Sequence, residues 1–158
     1  MPVSTNIDRE EFHRQLKLQE AALNRMTPGE MLGHRGAYLA NPAGIRKLSE
    51  PLQERTRADY RATKEDEYRR IYGRDADAEL DAHMATVAAL HNPDMVAGGD
   101  YRSVADPSIP LQNRIGGLAE NSSIGSQWRW GRAQQVANHA LQQQRNGCPS
   151  VGVVLDIC

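Results

Sequence analysis

Helical patterning runs through the first part of this chain, stops at Asn92-Pro93 and does not resume until about Ser126. The intervening "NPDMVAGGDYRSVADPSIPLQNRIGGLAENSSIGS" contains two glycine pairs and three prolines. Proline lacks the amide hydrogen a helix needs and glycine loses the most conformational freedom on ordering, so this composition excludes a continuous helix. An irregular stretch of this length inside a folded chain is usually functional or disordered, and its interspersed Val, Ile and Leu favour order and function. The fold must then be a set of helices gathered around an ordered, largely non-helical segment.

The helices themselves can be placed by periodicity and caps. "DREEFHRQLKLQEAALNRM" puts Phe12, Leu16, Leu23 and Met26 on one face, with Asp8 and Glu11 at capping-box spacing. Thr27, Pro28 and Glu30 open a second helix to about Ala40, after which "NPAG" breaks the pattern. From Pro51 to Tyr72 a helix-compatible but highly charged segment offers only Leu52, Tyr60 and Ile71 as apolar contacts, which places it on the surface. "DADAELDAHMATVAALH" carries Leu80, Met84, Val87 and His91 at helical spacing and is expected to end at the histidine. A last helix over "SQWRWGRAQQVANHALQQQRNG" is followed by "SVGVVLDIC", where Val151, Val153, Leu155 and Ile157 alternate as in a strand. A strand needs a partner, and "DMVAGG" and "NRIGGL" are the candidates. The expectation is α+β, predominantly helical: about five helices and a small sheet including the C-terminal strand, in a single domain over residues 1–158 that frays at 1–7 and at 158.

Composition narrows the function classes. No apolar run approaches the roughly eighteen residues of a membrane span, which argues against membrane insertion, and the N-terminus lacks the basic-then-apolar order of a signal peptide. Cys148 and Cys158 would close only a small terminal loop, so a structural disulfide is not expected. A formal net charge of −1 excludes a general polyanion sponge. The cations are unevenly distributed, however: beyond residue 83 there is no lysine, only Arg102, Arg114, Arg129, Arg132 and Arg145. Arginine without lysine suits phosphate forks or buried pairs.

The reactive candidates lie where the helical pattern stops. His91 and Asp94 form an H-x-x-D element followed by "AGGD". On the plainer reading His91 meets the last carbonyls of a helix and Asp94 organises the "NPDM" turn. On the reactive reading, a histidine that exchanges a proton near neutral pH has a carboxylate near enough to orient it or to hold a divalent ion. Asp100 adds a further carboxylate and a second candidate metal ligand beside Asp94. Downstream, "NSSIGSQWRWGR" offers Asn121, Ser122, Ser123 and Gln127 where the chain enters a helix, with Arg129 and Arg132 in its first turns. Helix N-termini bind phosphate through free backbone amides, so these residues are the phosphate-binding candidates. Trp128 and Trp130 read more readily as packing than as stacking surfaces.

Taken together, "FHRQLKLQEAALNRMTPGEMLGHRGAYL", "LHNPDMVAGG" and "NSSIGSQWRWGRA" resemble the polymorphic toxin type 15 domain, the H-x-x-D nuclease toxin of bacterial effectors that include type VI secretion DNases. The resemblance covers about residues 8–145 in order. It implies a DNase dependent on a divalent metal, with magnesium the expected ion. The toxin would be made in the bacterial cytoplasm, secreted with the help of an apparatus adaptor or chaperone, active in the target-cell cytoplasm, and neutralised by a cognate immunity protein. The family motif carries over to His91 and Asp94 alone; Glu120 would stand in for an acid that precedes the Asn-Ser-Ser element in the family pattern. Two alternatives stay open: an RNase using metal-independent histidine chemistry, and a noncatalytic partner-binding module docking through the charged helix.

Overall fold

A computed structural model describes residues 6–155; the expected fraying of residues 1–5 and 158 and the role of Ile157 lie outside the described residues. Helix α1 (Arg9–Arg25) starts where Asp8 accepts hydrogen bonds from the Glu10 and Glu11 amides. The reciprocal half of the expected capping box is absent, because Glu11 turns instead to Arg14, Gln15 and the Gly117 amide. The Asp8 amide is taken by Glu120 Oε1 at 2.8 Å. Helix α2 (Pro28–Ala40) opens as expected, with Thr27 accepting from the Glu30 amide and Pro28 in the first turn.

Helix α3 extends from Pro42 to Tyr72, beginning well before Pro51. "NPAG" does stop α2, but it also starts α3: Asn41 Oδ1 caps the Gly44 amide at 3.0 Å and Pro42 supplies a preset φ at a position with no amide bond to lose. Pro51 sits inside the helix, where it removes one backbone bond without ending it. Much of the helix surface is exposed, and Ser49 and Thr56 are buried.

The next helix, α4 (Ala76–Met84), ends earlier than its periodicity implied. Thr86 Oγ1 closes it by donating to the His83 carbonyl at 2.7 Å. The chain then extends as β1 (Val87–Ala89), antiparallel to β2 (Ile115–Gly117), with Val87 opposite Gly117 and Ala89 opposite Ile115. Val87 and Ala89 both face the core, so alternation fits this short run as well as a helical stripe does. Of the two candidate partner segments, "NRIGGL" supplies the strand, whereas Met95–Ala97 in "DMVAGG" is a 3₁₀ turn. His91 therefore follows a strand, not a helix.

Helix α5 (Leu118–Gln127) begins directly after β2, upstream of the expected start at Ser126. It runs through a kink at Trp130-Gly131, where the backbone leaves helical geometry, into α6 (Ala133–Arg145). The C-terminal alternation shows in the burial pattern, but its partner is not a strand: residues 151–155 carry no regular structure and lie outside the sheet. Val151 and Leu155 are buried, while Asn24 bonds both the amide and the carbonyl of Val153 and Glu20 takes the Leu155 amide. Polar side chains of α1 thus replace a strand edge. Cys148 is a free thiol.

The molecule is α+β and predominantly helical, with two apolar clusters. One joins Leu16, Leu23, Met31, Ile124, Trp128 and Ala140 across α1, α2, α5 and α6. The other gathers Leu80, Met84, Val87, Val104 and Ile115 beneath α3 and α4. Thr56 of α3 reaches the irregular segment by donating to the Val104 carbonyl at 2.7 Å. Among the described residues no helix is long and apolar enough to cross a membrane.

Candidate functional site

The turn after His91 is held from several directions. Asp94 Oδ1 accepts from the Val96 amide at 3.0 Å, and the Asp94 carbonyl accepts from the Ala97 and Gly99 amides. The glycine pair closes this turn and seats it on α2. Gly98 has φ 103°, and a Cβ there would meet the Met31 carbonyl oxygen at 2.6 Å, while one on Gly99 would collide with the Pro93 carbonyl. Arg35, buried on α2, donates to the Val96 carbonyl at 3.1 Å and to Gln134 of α6 at 3.0 Å.

Gln19 of α1 joins this turn to the core. Its Oε1 accepts from the Trp128 indole at 2.6 Å and from the Asp94 amide at 3.2 Å. The fully buried amide thus bridges the three segments that carry the family resemblance. A polar residue on the otherwise apolar stripe of Phe12, Leu16 and Leu23 was the signal that could have identified it; no local pattern reveals its partners.

His91 is anchored separately. Its Nε2 lies 2.6 Å from Ser49 Oγ, which also accepts from the Gln53 amide at 2.9 Å. Ser49 is fully buried on α3, within the part of the helix whose start was misplaced, so neither Ser49 nor Gln53 was anticipated. Desolvation lowers the imidazole pKa to about 4, with the Asp100 charge acting in the opposite sense. No helix ends at His91, so no helix C-terminus works against that shift. An NMR pH titration should move the His91 ring signals with a midpoint near about 4, and a midpoint close to 6.5 would show instead a solvated ring. The sign for stability follows: as pH falls from about 6.5 towards about 4 the unfolded chain takes up this proton first, so folding is weakened.

No hydrogen bond joins the His91 and Asp94 side chains among the described residues, and the expected pair is two anchored groups. Burial pushes the Asp94 carboxyl pKa up, against the Val96 amide and the charges of Arg129 and Arg46. Both arginines are exposed. A Cβ on Gly125 would stand 3.3 Å from Asp94 Oδ2 and 3.9 Å from an Arg129 guanidinium nitrogen, so α5 brings that cation to the turn. Arg46, which the sequence reading missed, is steadied by Tyr38, whose hydroxyl accepts from it at 2.8 and 3.1 Å.

The remaining candidates divide. Asn121, Ser122, Ser123 and Gln127 lie inside α5 past its opening turn, so the expected helix N-terminal phosphate cradle is not formed at them. Arg132 faces elsewhere: it stacks 5.9 Å over Trp128 and lines a cavity of about 450 Å³ with His139 and residues 152–155. Glu120 is buried as the partner of the Asp8 amide, away from the role suggested by the family pattern. Asp100 binds the Arg102 guanidinium through both oxygens, the closest at 2.6 Å. Burial alone would raise the Asp100 pKa, but these bonds hold it below the usual range.

Among the described residues no three His, Cys, Asp or Glu side chains converge as a metal site, and Asp100 is committed to Arg102. The turn holds a partly buried imidazole that is neutral at pH 7 and, three residues on, a carboxyl on which burial and the charges of Arg129 and Arg46 act in opposite senses. That set can accept a proton and neutralise an anion.

Comparison with known proteins gives one family-level finding: residues 6–158 match the model of the family described as Novel toxin 15. No curated protein matches the chain.

Proposed function

Because this chain belongs to the Novel toxin 15 family, we infer that it is an interbacterial toxin domain hydrolysing phosphodiester bonds of DNA in its target cell. The observation that supports this reading is His91, neutral at pH 7 and anchored through Nε2, near a carboxylate flanked by Arg46 and Arg129. Hydrolysis needs an acceptor for the proton of the attacking water and positive charge on the phosphoryl oxygens. In the tautomer with hydrogen on Nε2, Ser49 Oγ accepts that hydrogen alongside the Gln53 amide, leaving the Nδ1 lone pair as the base. Water then attacks phosphorus, its proton passes to His91, the P–O bond to the leaving oxygen breaks, and that oxygen is protonated from solvent. Arg129 and Arg46 would neutralise the phosphate, and Asp94 would orient them.

The expected magnesium lacks a three-donor cluster among the described residues, and the chemistry above rests on the chain's own groups. Its contribution is decided by comparing plasmid cleavage with added magnesium and with EDTA. The setting we propose for this chain is synthesis in a bacterial cytoplasm, secretion through an adaptor or chaperone, action in the target-cell cytoplasm and neutralisation by a cognate immunity protein, a reading that membership of a toxin family supports. RNA is the second reading. It is favoured by a neutral imidazole with arginines and without clustered acids, a set suited to activating a ribose 2′-hydroxyl. Loss of plasmid DNA with intact RNA selects the first reading; EDTA-insensitive RNA loss selects the second. Intact nucleic acids under every condition, with wild type and His91→Ala equally harmless in cells, would remove both.

A further inference from the structure

The chain has two tryptophans, and the kinked turn between α5 and α6 puts them to opposite uses. Trp128 is 1% exposed and bonded to Gln19, whereas Trp130 is 88% exposed. Indoles are mostly covered in folded proteins, so this degree of exposure is unusual. The turn that presents it is itself irregular: Trp130 has φ −82° and ψ 15°, and Gly131 has φ 124°. The buried Trp128 fixes one end of the turn in the core, so the position of Trp130 is set by packing.

Its neighbour supplies the second observation. Arg129 is exposed, makes no hydrogen bond among the described residues, and acts by charge on Asp94. One end of a single turn thus reaches the candidate site, and the next residue offers an uncovered aromatic face. A guanidinium binds phosphate and an indole face stacks on a nucleobase of any sequence, and the two chemistries alternate along a nucleic-acid strand at the same short spacing.

We propose that Trp130 is a base-stacking contact of the substrate strand, holding an unpaired or frayed nucleobase beside the phosphate engaged by Arg129. This rests on the nuclease reading above. It makes single-stranded or locally opened nucleic acid the form gripped most firmly.

The test uses the full chain carrying His91→Ala, titrated with a short oligothymidylate while tryptophan emission is recorded. Because Trp128 is shielded, quenching reports Trp130. Adding Trp130→Ala should abolish the quenching and weaken binding about 5- to 100-fold, with Trp130→Tyr retaining much of the affinity. The salt dependence should be unchanged by Trp130→Ala and reduced by Arg129→Ala, since only the arginine displaces counterions. Equal affinity with and without Trp130, or no oligonucleotide binding by the His91→Ala chain, overturns the proposal. So does a Trp130→Ala chain that binds oligonucleotide normally but escapes its neutralising protein, which would make this indole a protein contact. The wild-type cleavage assay is read separately: cleavage without Trp130-dependent binding overturns the stacking contact alone, and binding without cleavage overturns the nuclease reading alone.

Discussion

Replacement of His91 by alanine is expected to lower phosphodiester cleavage by about 10²- to 10⁴-fold, the range typical of a lost general base. The protein should still fold, because the ring is only partly buried and its one side-chain hydrogen bond among the described residues is to Ser49. Ser49 keeps its Gln53 donor in the variant, so little buried polarity is orphaned. Circular dichroism and thermal unfolding at neutral pH serve as the control, and the rate on plasmid DNA is the measurement. The pH profile separates this base from an ordinary surface histidine. With a pKa of about 4, the imidazole is already free to accept a proton throughout the mildly acidic range. Cleavage should therefore persist below pH 6 and decline only as the pH approaches about 4. An acid limb centred near 6.5 would mean that the reacting group is solvated, and an unchanged rate in His91→Ala would assign the chemistry elsewhere.

The second large effect falls on stability. Trp128→Ala should cost about 3–5 kcal/mol, the usual range for emptying a large aromatic site. The indole is 1% exposed within the cluster of Leu16, Leu23, Ile124 and Ala137, and its nitrogen donates to the buried Gln19. Removing it leaves a cavity and frees Gln19, whose other bond positions Asp94. A denaturant titration should show a lower midpoint. Where the variant remains folded, its cleavage rate should fall too, since the turn bearing Asp94 loses a brace. Trp128→Phe should recover much of the packing but not the bond to Gln19. A Trp128→Ala protein with an unmoved midpoint would contradict the placement of this residue.

The parts of the fold that could be read from the sequence are those settled within one or two helical turns. Asp8 and Thr27 cap as their spacing implies, and Phe12, Leu16 and Leu23 bury the face that they define. "NPAG" shows where local reading becomes ambiguous, because Asn-Pro suits both the end of one helix and the start of another. Val87 and His91 are four apart, as on a helix, yet Val87 and Ala89 alternate, as on a strand. Only the distant Ile115–Gly117 segment decides between them. The alternation of Val151, Val153 and Leu155 predicted the burial pattern at its two ends but not its partner, which is the polar side of α1.

At the site, His91 and Asp94 stood out as residue types at a distinctive spacing, and Arg129 was named only as a phosphate-binding candidate further along the chain. Their anchors could not be found in that way. Ser49 is 42 residues from His91, and Gln19 is 75 from Asp94 and 109 from Trp128. Contacts over such separations leave no periodic trace. The helix N-terminus expected at Asn121 to Gln127 was displaced for a related reason: β2 ends in Gly117, and the following helix begins at once, six residues before Ile124 enters the core. The glycine pair at 98 and 99 lies against Met31 and Pro93, neighbours that no local pattern predicts.

The long reach of Gln19 and Arg35 also bears on the order in which a ribosome releases this chain. His91 and Asp94 emerge well before Trp128 and Gln134, the residues that complete the bracing of their turn. Until that later part has emerged, Gln19 lacks its indole and Arg35 its amide, and the reactive groups have no fixed setting. The braced turn therefore forms only after the segment that carries Trp128 and Gln134 has been synthesised.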